Sequence, residues 1–419
     1  MTGDLGHLRD NETVVIIGGG PAGSSCGIML SQLARRSGVQ LRIIIFEPKD
    51  FSTERNICSG VLSPPFQKLL STLGLELPQD IVQRRISGYM LHSAREAIFL
   101  KDQDETGEPT LTVDRADLDN FLLESARQLG VIVMDDIVVD VRPATDKVLV
   151  VSSGGGRILA DVVVGAFGLN SFALRLFETY LPGYHRPQAT RSILTDIPME
   201  PTVIDQVFED AVYALLVDSL PRIEFAAITP KRDHVTINVV GKEIADGDMD
   251  AFLNLPWTRK LVPNGTDPQP RFLNSFPSSP ARHIYGDRFV SIGNTSGLLR
   301  PLKGKGINTS LITGIEAART MMKVGISRQA FDDFSVRCHA LAEEYRYGIV
   351  LRSLYNLSLR LGALDAVVDL ARREPILYQA FHDMVSGEGS YQAIIKRSAR
   401  PGLVAKILWA ISTYWLRHL

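Results

Sequence analysis

The residues that most restrict this chain lie between positions 13 and 23, where a β-rich run, Thr13 to Ile17 (TVVII), meets Gly18, Gly20 and Gly23 in G-x-G-x-x-G spacing. A helical stretch opened by Pro21 and Ala22 continues to about Arg36, and a second apolar run, Leu41 to Phe46, ends at Glu47 and Pro48. Strand, glycine turn, helix and second strand in that order make a β-α-β unit. The glycines answer three physical demands: a tight turn, a bare backbone where a pyrophosphate approaches, and close packing of helix on strand. The anion rests on the amino end of the helix, where free N–H groups and the helix dipole favour negative charge. Glu47, 24 residues beyond Gly23, stands where an acid can accept hydrogen bonds from both hydroxyls of an adenosine ribose. The expectation is a dinucleotide site on an α/β sheet.

Two further blocks carry α/β patterning. One pairs a helix, Ala116 to Leu129, with strand-like runs at Val131 to Met134, Ile137 to Val141, Val148 to Val151 and Val162 to Gly165, with a turn at Gly154 to Gly156. The other runs from Phe289 to Ile292 through a Gly-rich loop into a helix from about Lys305 to Val324. Between them lie segments with Pro-rich turns and few helical signals, with strand candidates at Val212 to Val217, Ile223 to Ile228 and His234 to Val240. The fold class is therefore α/β: a Rossmann-like, discontinuous dinucleotide-binding domain (11–61, 111–175 and 281–326), an inserted sheet-rich substrate domain (62–110 and 176–280), and a helical, Arg-rich C-terminal region (327–419).

Composition narrows the function classes. The chain has 419 residues, with 45 Lys+Arg against 47 Asp+Glu. Such a balance creates no long-range field for a polyanion, and no nucleic-acid role is expected. Cys26, Cys58 and Cys338 are odd in number and form no C-x-x-C pair, which argues against a disulfide framework and fits a reducing compartment. Eight histidines without H-x-x-x-H spacing give no metal site. The amino terminus is polar and lacks the apolar core of a signal peptide, so a cytoplasmic protein is expected. No run of about 20 apolar residues, the length a spanning helix needs, occurs.

The fingerprint alone does not separate FAD from NAD. The segment GDRFVSIGNTSGLLRPLKGKGINTSLITG sets a strand, Gly293, a Gly/Pro-rich loop and a helix in series. Backbone N–H groups and a second helix amino terminus are thereby brought to another part of the same ligand, as a long, two-ended cofactor requires. With GGGPAGSS, ERNICSGVLSP, VDRADLDNFLLESARQLGV and VVVGAFGLNS, this segment resembles the geranylgeranyl reductase family, within the flavoproteins shaped like para-hydroxybenzoate hydroxylase. The resemblance implies FAD as cofactor. It puts Arg115 near the pyrophosphate or ribityl chain, Gly293 and Asn294 beside the ribityl chain, and Pro301 to Gly306, including Gly304, with Ile307 along the isoalloxazine. It also places Cys58, Ser59 and Gly60 close to the flavin. The chain departs from the family where Asn294 and Phe167 replace acids, and where Ala227 and Thr229 replace aromatics in FAAITPK.

Cys58 is the catalytic candidate, since a thiol over the ring could donate a proton after hydride transfer; the alternative is a small hydrophobe that packs. Lys303 and Lys305, just before a helix, suit a nearby anion or are solvated loop lysines. Leu403 to Leu416 (LVAKILWAISTYWL) places Leu403, Val404, Ile407, Leu408, Ile411, Tyr414 and Trp415 on one helical face with Trp409 outside it. Two readings stay open there: a helix in the cytoplasmic membrane interface at 403–416, or a terminal helix docked on protein. The family resemblance implies a reductase that saturates carbon–carbon double bonds of a hydrophobic, polyprenyl substrate, with electrons from NAD(P)H or a ferredoxin-like protein. The alternatives are a monooxygenase of an aromatic or lipid-like substrate and a membrane-peripheral flavoprotein that reduces quinone.

Overall fold

A computed structural model of the protein describes residues 5–54, 58–102, 107–216, 219–262, 270–300, 306–387 and 389–418. Its first sheet has six strands in the order Tyr285–Gly286, Phe289–Ser291, Val162–Gly165, Thr13–Ile17, Arg42–Phe46 and Ile132–Met134. All neighbours are parallel except the antiparallel edge pair Tyr285–Gly286 and Phe289–Ser291. Its central strands are apolar beyond their first residues, Thr13 and Arg42, because both faces are covered. Val14, Ile16, Ile43, Ile45, Val162 and Val164 pack toward the helices Pro21–Ser37, Arg115–Gln128 and Gly306–Lys323. Val15, Ile17, Ile44 and Val163 pack toward a three-stranded antiparallel sheet, Val138–Pro143, Val148–Ser152 and Arg157–Ala160. The strands and helices expected here form within one or two residues of the expected limits, although Lys305 lies outside the described residues.

The second large sheet has seven strands in the order Phe272–Pro277, Ala189–Pro198, His234–Gly241, Phe225–Pro230, Ala211–Leu215, Gly88–His92 and Ala97–Lys101. Neighbours are antiparallel except Ala211–Leu215 beside Gly88–His92. The strands Ala189–Pro198 and Phe272–Pro277 carry polar residues without clean alternation and gave no strand signal. Ile193, Ile197, Ala226, Ile228, Val235, Ile237 and Val239 point to one face, under the short helices Pro201–Phe208, Asp246–Leu253 and Pro256–Leu261. The opposite face is turned toward the first sheet and is described with the site. A small sheet of Val61–Leu62, Thr110–Val113 and Val82–Ile86 joins the two.

Beyond residue 327 the chain is helical, ending in Leu364–Ala371, Pro375–Ser386, Tyr391–Ser398 and Pro401–His418. Val368, Ala371, Leu377 and Phe381 cover Tyr89, Leu91 and Leu100 of the second sheet. Only part of the apolar face expected of the last helix is docked on protein. Leu403 is 4% exposed, Ile407 and Ile411 are half-buried, and Tyr414 reaches Glu96 at 3.4 Å, whereas Leu408 and Trp409 are 63% and 71% exposed. The contact with Leu364–Ala371 lies along one edge of the expected stripe, so the stripe is split between protein and solvent. The Trp415 side chain lies outside the described residues. Among the described residues no helix is long and apolar enough to cross a membrane.

Arg300 fastens this helical region to the loop after Phe289–Ser291. Buried, it pairs with Glu344 at 2.9 Å, donates to the carbonyls of Gly387 and Gly389, and lies 4.3 Å from the centre of the Tyr391 ring. Glu344 also accepts from the Tyr391 N–H at 3.0 Å. Removing one member of a buried ion pair leaves the other charge without compensation. Arg300→Ala is expected to lower unfolding free energy in urea by roughly 3–5 kcal/mol, with Arg300→Lys recovering part of it; a change under about 0.5 kcal/mol, the range of inert surface substitutions, would contradict this role.

Candidate active site

A cavity of about 790 Å³ opens at the carboxyl ends of Thr13–Ile17 and Arg42–Phe46 and extends to the inner face of the seven-stranded sheet. Ligands of open α/β sheets bind at this end because loops and helix amino termini converge there. Gly18, Gly20, Pro21 and Ala22 line the cavity. Gly18 takes φ +106°, and a Cβ there would meet the Ala166 carbonyl oxygen at 2.5 Å. Gly20 caps the helix without any side-chain hydrogen bond and has open space beside it, so bare N–H groups face the cavity. Gly23 does not line it. A Cβ there would stand 1.9 Å from the Gly18 carbonyl oxygen, which is the helix-to-strand packing demanded of the third glycine.

Glu47, half-buried on the cavity wall, accepts from the N–H groups of Gly19 at 2.7 Å and Lys49 at 3.1 Å. Burial pushes its pKa above the ordinary glutamate range, although both N–H groups oppose the shift. Arg115 opens the helix Arg115–Gln128 and also lines the cavity. Burial works against its charge, but Asp119, at 2.7 Å, and the Cys58 sulfur more than offset this and hold the guanidinium above its usual range. Asp119 is fully buried. It escaped the sequence reading, although its i,i+4 spacing from an Arg was a usable signal.

Cys58 and Ser59 are half-buried on the cavity wall, and the Gly60 N–H donates to the Cys58 sulfur at 3.3 Å. Gly60 has φ +66° and presses on Val113, whose carbonyl oxygen would lie 1.9 Å from a Cβ. Cys26 and Cys338 are buried, and burial pushes both thiols up, the second to about 12. Of the three thiols, Cys58 alone lines the cavity.

At the second helix, Asn294, Gly306 and Ile307 line the cavity, with Gly293 behind them at φ +58° and its N–H on Thr313 at 2.9 Å. Pro301 and Gly304, with Lys303 and Lys305, lie outside the described residues. The Oδ1 of Asn294 is buried and has no hydrogen-bond partner. A buried acceptor facing a cavity calls for a donor from what fills it, and a ribityl hydroxyl supplies one. Together with the uncapped fingerprint helix, whose N–H groups donate, and the accepting carboxylate of Glu47, this set of groups fits a flavin adenine dinucleotide. Phe167, in place of an acid, lines the same cavity and packs edge-on against Phe177 at 4.4 Å.

The far half of the cavity was not legible residue by residue. Its wall is the inner sheet face, including Tyr89, Leu194, Ala214, Ala227, Thr229 and Asn238, with Tyr355 and Met384 from the helical region. In the sequence only Phe225, Ala227 and Thr229 of FAAITPK stand out from this wall, the last two as replacements for aromatics.

Residues 11–345 match the FAD binding domain family. Over 314 residues the chain is 24% identical to geranylgeranyl diphosphate reductase of Synechocystis sp., covering 70% of this chain and 71% of that one. It is 27% identical over 169 residues to a probable mitochondrial electron transfer flavoprotein-ubiquinone oxidoreductase of Saccharomyces cerevisiae, a match that spans 35% of this chain and only 26% of that protein. Among solved structures, a geranylgeranyl bacteriochlorophyll reductase-like protein from Thermoplasma acidophilum superposes with a TM-score of 0.74 at 18% identity, covering 96% of this chain and all of that one. With the fingerprint helix, Glu47 and Asn294 around one cavity, these matches establish that the chain is an FAD-dependent oxidoreductase and belongs to the FAD binding domain family.

Proposed function

We propose that the protein saturates carbon–carbon double bonds of a hydrophobic, polyprenyl substrate. The observation that carries this reading is the two-ended cavity: charged and helix-terminal groups at the fingerprint end, and an uncharged, largely apolar sheet face at the other. A substrate chain laid against that face excludes water from the bond to be reduced. FAD, when bound and reduced, supplies the hydride. The chain's own groups orient and protonate. Arg115, braced by Asp119, holds the cofactor end, and Cys58 gives its proton to the alkene carbon that does not receive hydride. The Arg115 guanidinium, in contact with the sulfur, steadies the thiolate left behind. Similarity to proteins named as geranylgeranyl reductases supports the isoprenoid class. The electrons come from NAD(P)H or a ferredoxin-like protein, and a cytoplasmic membrane face is the source of the lipid.

Lipid mass spectrometry of cells with and without the gene tests this directly. An isoprenoid lighter by two hydrogens per unreduced bond should accumulate in the deletion strain, and an unchanged isoprenoid profile would sink the proposal. Cys58→Ala should keep FAD and lower turnover by roughly 10²–10⁴-fold, the contribution of a positioned general acid; full activity would leave Cys58 a packing residue. Because burial favours the neutral form of Glu47, its carboxyl takes up a proton at higher pH than a free glutamate does. FAD affinity, followed by fluorescence quenching, should therefore weaken as pH falls through that raised value. Glu47→Gln should weaken it by roughly ten- to hundredfold and remove this pH dependence; a variant that still titrates would point to another group.

A further inference from the structure

The cavity holds a second set of unsatisfied groups. Thr229 Oγ1 and Asn238 Oδ1 are buried, have no hydrogen-bond partner and line the cavity, and Thr229 itself is fully buried. They sit on adjacent strands, with Ala227 opposite Asn238 and Thr229 opposite Thr236. Residues two apart on a strand share a face, and paired residues do too. Ala227, Thr229 and Asn238 are therefore neighbours on the side of the sheet that the cavity meets. The next polar group along, Thr236, is satisfied by Asp196 at 2.7 Å. Two polar atoms left open on diagonal neighbours of an uncharged wall point to a partner supplied by whatever enters.

We propose that this pair is the recognition site for an uncharged, hydroxyl-bearing head of the isoprenoid substrate, a refinement that rests on the reductase reading above. A hydroxyl can donate to the Asn238 oxygen and accept from the Thr229 O–H at once, a match that neither a hydrocarbon nor an ether oxygen makes. Charge is disfavoured by the wall itself. The charged residues that line the cavity, Glu47, Lys49, Arg115, Asp119 and Asp136, all come from segments at the nucleotide end. Among the described lining residues of the seven-stranded sheet none is charged, so a diphosphate placed there would lack a counter-charge. The hydroxyl end docks at Thr229 and Asn238, and the chain lies across the apolar remainder of the cavity wall, which includes Ala227 and Leu194.

The test uses the full-length, FAD-loaded protein with three probes: geranylgeraniol, the matching hydrocarbon without the hydroxyl, and geranylgeranyl diphosphate. KM for the alcohol should be roughly tenfold below that for either of the others, the scale of one or two neutral hydrogen bonds. Thr229→Val and, separately, Asn238→Leu should raise KM for the alcohol toward the hydrocarbon value while leaving the hydrocarbon's KM and the flavin absorbance unchanged. Flavin absorbance in both variants guards against a folding defect. Equal KM values for alcohol and hydrocarbon, a preference for the diphosphate, or an alcohol preference that survives both substitutions would overturn the subsite and keep the reductase. Reduction of none of the three probes would overturn both.

Discussion

Two helices, Pro21–Ser37 and Gly306–Lys323, cross at backbone distance, and the site follows from that crossing. A Cβ on Gly314 would stand 2.2 Å from the Ser25 hydroxyl and 2.5 Å from the Ala22 carbonyl oxygen, and one on Gly293 would stand 2.7 Å from the Ala22 Cβ. Only hydrogen fits at either place. Because the helices approach so closely, residues from both amino ends line one cavity instead of two separate clefts. Each end carries unsatisfied N–H groups and a positive partial charge. Both suit a long cofactor with negative groups along its length.

The second sheet supplies the far wall of that cavity. Alternation along Phe225–Pro230 and His234–Gly241 sends Ala226, Ile228, Ile237 and Val239 into the sheet's own core. The intervening Ala227, Thr229 and Asn238 go to the cavity. The small side chains of Ala227 and Thr229 leave room where aromatics of the resembling family would stand. The same packing accounts for Arg300. Its ties to Glu344, Gly387 and Gly389 anchor the loop between the strand Phe289–Ser291 and the second helix against a region more than 40 residues away in sequence.

What could be read from the sequence was local. Thr13 to Gly23 and Leu41 to Glu47 announce themselves because glycine spacing and apolar runs act within a few residues. Strand Ala189–Pro198 was missed because Thr190, Arg191, Ser192 and Asp196 break the apolar pattern, and its placement depends on partners at 234–241 and 272–277. Asn238 could not be picked out for a related reason: it matters only because of the register that sets it opposite Ala227. The terminal helix shows the limit from another side. Its period was legible, but which of its residues touch protein is decided by Leu364–Ala371 and Glu96, far upstream.

On the function proposed above, reducing equivalents held at the fingerprint end pass into a carbon–carbon bond lying on the sheet face. An anaerobic single-turnover experiment, with chemically reduced holoenzyme and geranylgeraniol, measures this most directly. Such a transfer should oxidise one flavin per double bond saturated, give a product heavier by two hydrogens and need no oxygen. Flavin that stays reduced until oxygen is admitted, and a product that then carries an added oxygen atom, would contradict it.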